Sequence, residues 1–155
     1  MALIVPIRPN QYPWQLLLLA DPCRGLVEKY LTDALVLAST DGGEILGVVV
    51  ITSLSHSSWE IKNLAVSPAH QGRGLGKALL RSALDLSKAR GAHEVWIGTG
   101  NSSLNQLGLY QRMGFRMVEI VQDFFTQHCA EEVVENGIPC RDMVRLVMTF
   151  PTEES

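Results

Sequence analysis

Leu64-Ala65-Val66-Ser67-Pro68-Ala69-His70-Gln71-Gly72-Arg73-Gly74-Leu75-Gly76-Lys77 is the stretch on which the fold of this chain depends. Before it, Trp59 to Val66 reads as a strand. After it, from Leu75, the apolar residues recur with a period near 3.6. Leu75, Leu79, Ala83 and Leu86 form one stripe, and Lys77, Arg81, Asp85 and Lys88 form the opposite one, as in an amphipathic helix. Gly91 stands where a helix C-cap glycine is expected. A strand that enters a glycine-rich loop and leaves it as a helix lets the loop's backbone amides converge on an anion at the positive end of the helix dipole. Arg73 and Lys77 add positive charge, and glycine allows close approach with no Cβ in the way.

Glycine spacing narrows the anion. A dinucleotide-binding pattern needs glycine three residues after its second glycine, and the two possible frames put Lys77 or Leu79 there. A nucleotide-triphosphate loop ending at Gly76-Lys77 needs glycine at position 71 and a hydroxyl at position 78, which are Gln71 and Ala78. Both patterns fail, which disfavours an unrelated nucleotide-binding protein.

Outward from the loop, Leu3 to Ile7 reads as a strand, followed by helices over about Tyr12 to Leu19 and from Asp21-Pro22 to Leu31, with Asp21 as a capping acceptor. Ala34 to Ser39, Ile45 to Ser53 and Trp59 to Val66 read as three successive antiparallel strands, the first two joined at Asp41-Gly42-Gly43. Glu94 to Ile97 is a short strand, Ser103 to Met113 a helix ending at Gly114, and Arg116 to Val121 and Met143 to Phe150 the last strands. A polar loop holding Glu131, Glu132, Glu135 and Asn136-Gly137 joins those two. The result is an α+β pattern in one domain, residues 1–150, with 151–155 as a flexible tail.

Nearly half the residues are hydrophobic, enough for one substantial core, and no apolar run reaches the roughly 18 to 20 residues of a membrane span. Leu16 to Ala20 is too short for a signal-peptide core, so the expected location is cytoplasmic. A net charge of -3 lacks the basic excess that nucleic-acid binding requires. Cys23, Cys129 and Cys140 are odd in number and have no tight pair spacing, which fits a reducing compartment better than a disulfide framework. His128, Cys129 and Cys140 lack a fourth metal ligand at recognised spacing.

The loop resembles the coenzyme A signature of the GNAT superfamily of N-acetyltransferases, in which Gln or Arg is followed by two residues, Gly, one residue, and Gly or Ala. Here these are Gln71, Gly74 and Gly76. A second signature of that superfamily is matched by Leu109-Tyr110-Gln111-Arg112-Met113-Gly114-Phe115, so the resemblance covers about Trp59 to Met117. It implies the GNAT acyl-CoA N-acyltransferase fold, a three-layer α/β/α arrangement with a mixed sheet of about seven strands and about four helices. It also implies acetyl-CoA as cosubstrate, without a metal. The main chain of Leu64, Ala65 and Val66 would pair with the pantetheine, and the amides of Gln71, Gly72, Arg73, Gly74, Leu75, Gly76 and Lys77 would hold the pyrophosphate.

Acetyl transfer to an amine needs a neutral nucleophile, a polarised thioester carbonyl and a proton for the leaving thiolate. Keeping an amine of pKa about 10.4 neutral at pH 7 costs about 4 to 5 kcal/mol, so a base is useful. Tyr110 occupies the position where family members commonly place the phenol that protonates the sulfur. Glu60 lies five residues before Ala65, matching the glutamate base of some histone-type members, and strand alternation groups it with Lys62, Leu64 and Val66. A strand amide near Val66 would polarise the thioester oxygen. Where many members carry asparagine and alanine, this chain has Ser103 and Gln106. Asn101 and Asn105 are therefore weaker candidates for the second cofactor contact.

The resemblance implies that the acceptor amine is chosen by the early helices and the loop between the last two strands. Glu131, Glu132 and Glu135 could attract a cationic amine there, and residues 123–145 look like those of a bacterial subgroup of small acetyltransferases. Such proteins often pair, so a homodimer through the final strands is possible. The competing reading is a non-catalytic acyl-CoA-binding module or regulator, against which Tyr110 stands.

Overall fold

Val48, Val49, Val50 and Ile51 form a run buried without exposure, and alternation along it sends Val49 and Ile51 to one core and Val48 and Val50 to another. A strand buried on both faces must be covered by helices on both. The computed structural model describes residues 2–129 and 131–151, so of the expected tail only Pro151 is among them. In chain order the elements are β1 (Leu3–Pro6), α1 (Trp14–Ala20), α2 (Arg24–Leu31), β2 (Ala34–Asp41), β3 (Glu44–Ser53), β4 (Ser58–Val66) and α3 (Leu75–Ala89). There follow β5 (Glu94–Gly100), α4 (Leu104–Met113), β6 (Arg116–Val121), α5 (Phe124–His128), β7 (Val134–Glu135), β8 (Ile138–Pro139) and β9 (Met143–Thr149).

Leu79, Leu80, Ala83 and Leu84 of α3, with Tyr110 of α4, close the core that contains Val49 and Ile51. Leu16 and Leu17 of α1 and Val27 and Leu31 of α2 close the opposite one. The expected three layers are thus present, around a seven-stranded sheet of order β1-β2-β3-β4-β5-β9-β6. Strands β1 to β4 are antiparallel neighbours, and β4 to β5 is the parallel pair.

That parallel pair positions the site. Its register runs from Ser58 opposite Glu94 to Ile61 opposite Ile97 and stops there, although β4 continues to Val66 and β5 to Gly100. Beyond Ile61 the two strands have lost each other as partners. The change coincides with a bulge, because Ile51 faces Ile61 while the adjacent Val50 faces Asn63, leaving Lys62 as the extra residue.

The bulge corrects the expected alternation. Glu60 does not share a face with Leu64 and Val66. Its cross-strand partner is Thr52, and it lies with Asn63 and Ala65 on the side of α1 and α2. Trp59, Ile61, Leu64 and Val66 face α3. One inserted residue inverts every later side chain, which a period of two cannot anticipate.

The segment between β6 and β9 also departs from expectation. It contains α5 and the β7–β8 hairpin, giving five helices among the described residues where about four were expected. Asn136 and Gly137, with φ of 54° and 74°, form the two-residue turn of that hairpin.

The cysteines differ too. Cys23, just before α2, and Cys129, just after α5, form a disulfide with their Cα atoms 5.4 Å apart, across a sequence separation of 106 residues. Spacing along the chain is silent about partners brought together only by folding. Cys140 is free. His128 stacks on Phe124, and its Nδ1 lies 2.8 Å from the Phe124 carbonyl oxygen. Among the described residues no group of three metal-ligating side chains comes together, and no helix is long and apolar enough to cross a membrane.

Candidate active site

The loop after β4 leads from the strand end into the start of α3. Gln71 Nε2 donates to the Val66 carbonyl at 3.1 Å, pinning the loop to the end of the strand. Gly74, with φ of 80°, is the N-cap of α3 and supplies no side-chain cap. The first bond into the helix runs from the Ala78 amide to the Gly74 carbonyl at 3.0 Å. The amides of Leu75, Gly76 and Lys77 therefore lie ahead of the first α-helical bond, as in the first turn of any helix. Exposed Arg73 and Lys77 flank them without an ion pair among those residues. Unengaged amides and free cations at a helix start fit a pyrophosphate.

A cavity of about 450 Å³ begins where β4 and β5 part. Ile61 to Leu64 and Ile97 to Gly100 form its floor, α1 and α2 contribute Leu19, Asp21, Leu26 and Tyr30, and Phe124, Phe125, Glu131 and Glu135 close the far side. Its size falls within the range of small-molecule sites.

Tyr110 is part of that wall, 4% exposed, with its ring against Phe115 at a centroid distance of 6.0 Å. Its hydroxyl has no hydrogen-bond partner among the described residues, and burial alone acts on it. Burial pushes the phenol above its ordinary pKa of 10, so it holds its proton across the neutral range. Glu60, 8% exposed, lines the same cavity and forms an ion pair of 2.7 Å with Lys62 Nζ. The bulge that separates Glu60 from Leu64 thus brings Lys62 against it.

The two asparagines have other surroundings. Asn101 accepts the amides of Arg141 and Asp142 on Oδ1, at 2.9 and 3.0 Å, and donates to the Pro139 carbonyl at 3.1 Å. It clamps the segment that leads into β9. Asn105 is exposed and lies outside the cavity, whereas Ser103 and Gln106 line it.

Sequence reasoning missed a polar chain in the cavity wall. Asn63 Nδ2 donates to the Leu17 carbonyl and to Tyr30 Oη, each at 2.9 Å, and Tyr30 in turn donates to Asp21 Oδ2 at 3.4 Å. Asp21 was expected to cap α2. Instead the N-cap is Cys23, and Asp21 Oδ1 accepts the Cys23 amide at 3.2 Å while the residue lines the cavity. Burial raises the Asp21 pKa above the usual carboxylate value, outweighing the Cys23 amide, the Tyr30 hydroxyl and Lys62. The signal available in sequence was Asp-Pro, which also reads as a capping acceptor before a proline in the first helical turn.

Residues 6–115 match the Acetyltransferase (GNAT) family. The uncharacterized N-acetyltransferase YvbK of Bacillus subtilis is 45% identical over 139 residues, covering 90% of each chain. A GNAT family acetyltransferase from Elizabethkingia anophelis, solved with acetyl-CoA bound, superposes with a TM-score of 0.92 at 39% identity, over 96% of this chain and 98% of that one. A Bacillus subtilis acetyltransferase in complex with CoA does so at 0.89 and 41%, over 97% and 100%. Identity of that order, over the full length of the fold and through the loop just described, makes the chain a member of the GNAT acetyltransferase family, an acyltransferase that works on nitrogen.

Proposed function

We propose that this enzyme transfers the acetyl group of acetyl-CoA to a primary amine of a small molecule, by direct attack while both are bound. The observation that carries this reading is Tyr110, buried in the cavity wall with a hydroxyl that no group among the described residues engages. Acetyl-CoA supplies the activated thioester. The amides of Gln71 to Lys77, with Arg73 and Lys77, hold its pyrophosphate, and the unpaired edge of Leu64 to Val66 aligns its pantetheine arm. Asn105, exposed at the start of α4, remains available to the cosubstrate, while Asn101 serves through the segment it clamps.

In the transfer, Glu60 takes a proton from the acceptor ammonium, directly or through a water, leaving the nitrogen lone pair free. The nitrogen attacks the thioester carbon, a strand amide near Val66 stabilises charge on the oxygen, and the carbon–sulfur bond breaks. Tyr110 gives its hydroxyl proton to the departing sulfur, which leaves as the thiol, and the proton that the attacking nitrogen sheds restores the phenol, directly or through water. The amide product has lost one nitrogen proton and the sulfur has gained one, so protons balance apart from the one released by the ammonium.

Direct attack is favoured over an acetyl-cysteine intermediate by Cys140, the free thiol in the cavity. Burial, then Glu135, Asp21 and Asp142, push its pKa up, away from the reactive thiolate. Initial-rate kinetics with acetyl-CoA and a panel of amines tests the scheme. Intersecting double-reciprocal lines are expected, and parallel lines with an isolable acetylated protein would overturn direct attack.

We place the activity in the cytoplasm, where acetyl-CoA is made. Strand β6 ends the sheet with Met117, Val118 and Ile120 exposed, which supports pairing of two copies there. Light scattering that gives a monomer mass at micromolar concentration would remove that element.

A further inference from the structure

Four carboxylates border the cavity, Asp21, Glu60, Glu131 and Glu135, against one ammonium, Lys62, which is already paired with Glu60. The hydroxyl protons nearby are also spent on carboxylates: Tyr30 donates to Asp21, and Ser103 donates to Glu135 at 2.8 Å. Asn63, only 5% exposed, uses its amide protons on Leu17 and Tyr30, and its Oδ1 has no partner among the described residues. What the wall between α2 and β7 has left to offer is acceptors.

Asp21 comes from the α1–α2 corner and Glu135 from β7, and both line the cavity. Cys129, in the same lining, is joined to Cys23, whose amide bonds Asp21 Oδ1, so the α1–α2 corner is held against the segment that leads to β7. Asp21 is buried enough to be disfavoured as an anion, and neither carboxylate has a cationic side chain in hydrogen-bond contact among the described residues. Phe124 and Phe125 add aromatic surface beside them, which suits the methylenes and charge of an alkylammonium.

We infer that the acceptor is a compact dication of the aliphatic diamine type, one amine reacting beside Tyr110 and the second ammonium seated between Asp21 and Glu135. This rests on the amine-acceptor reading above. A neutral or anionic acceptor would leave the excess of carboxylates in the lining without a countercharge.

The test compares 1,4-diaminobutane, 1-aminobutane and 4-aminobutanoate as acceptors for the wild type, Asp21→Asn and Glu135→Gln. A charge-assisted second contact should make kcat/KM for the diamine at least about 30-fold that of the monoamine, and each variant should shrink this preference about tenfold. In parallel, the melting temperature of the CoA-saturated protein is followed with each amine, since a ligand of the folded state raises it without any need for turnover. Equal kcat/KM for diamine and monoamine overturns the inference and leaves acetyl transfer standing. A melting shift specific to the diamine, with no amine turned over, supports the seat and removes the proposed reaction. Absence of both preference and shift overturns the seat, as does a preference that survives in both variants.

Discussion

The Phe115 amide donates to the Tyr110 carbonyl at 2.9 Å, so the bond that closes α4 lands on the residue proposed to protonate the leaving sulfur. Gly114 makes this possible by taking φ of 112° between them, with its own amide bonded to the Gln111 carbonyl at 3.1 Å. Gly114→Ala forces a Cβ into that conformation, 3.2 Å from Met148 Cε. A loss of about 1 to 2 kcal/mol is expected, read as a melting temperature lower by about 2 to 8 °C. An unchanged melting temperature would mean that another turn closes the helix equally well.

Tyr110→Phe removes one oxygen and leaves the ring on Phe115. Turnover should fall about 100-fold or more, the usual scale for a lost acid, while calorimetric affinity for acetyl-CoA stays within about twofold. The sign of the pH dependence follows from burial. The folded phenol titrates above 10, so its contribution is complete at neutral pH, and both the acid function and the stability linked to keeping the group neutral fade as pH rises beyond 10. If the variant retains full turnover at pH 7, Tyr110 is only a packing residue.

The donor half of this site was legible because its signals are local. Gln71 to Lys77 announces a strand, a loop and a helix start within one window, and Tyr110 stands a fixed distance before Gly114. The acceptor half depends on contacts that no window holds. Asn63 meets Tyr30 and Leu17 across 33 and 46 residues, and Cys23 meets Cys129 across 106. The bulge at Lys62 is a third case, since a single unpaired residue in β4 decides which face Glu60 takes.

Gly74→Ala tests the loop. Nothing lies within 4 Å of the Cβ this substitution would add, so the effect is purely conformational, from a φ of 80° that alanine adopts poorly. The loop should relax and misalign its amides. Acetyl-CoA affinity is expected to drop about tenfold, with far-ultraviolet circular dichroism unchanged. Equal affinity would move the pyrophosphate to another part of the surface.

Cys23 and Cys129 tie the start of α2 to the end of α5, and Cys129 lines the cavity. Closing so long a loop stabilises the fold by up to about 4 to 5 kcal/mol in the chain-entropy account. Air-oxidised protein should yield a Cys23–Cys129 cross-linked peptide, and dithiothreitol should lower its melting temperature while leaving that of Cys23→Ser unmoved. Three titratable thiols in unreduced protein would show that the pair does not form.

Asp21 separates function from stability. Its folded pKa is raised, so the protonated group is the one the fold prefers: the stability it contributes is full below the unfolded value near 3.9 and is lost as pH rises through the folded pKa. Above its folded pKa the ionised carboxylate is a burden on the fold. Asp21→Asn keeps one oxygen to accept the Cys23 amide or the Tyr30 hydroxyl and removes the charge. The variant should melt at the same temperature as the wild type or higher at pH 7, with a flatter dependence between pH 4 and 7, while its use of a diamine acceptor declines. A wild type kept ionised at Asp21 for binding has this signature, because the ammonium that arrives offsets the cost of burial. Were Asp21→Asn to melt lower at pH 7 and to lose monoamine and diamine turnover equally, Asp21 would be a structural link between α1 and α2 and no part of acceptor choice.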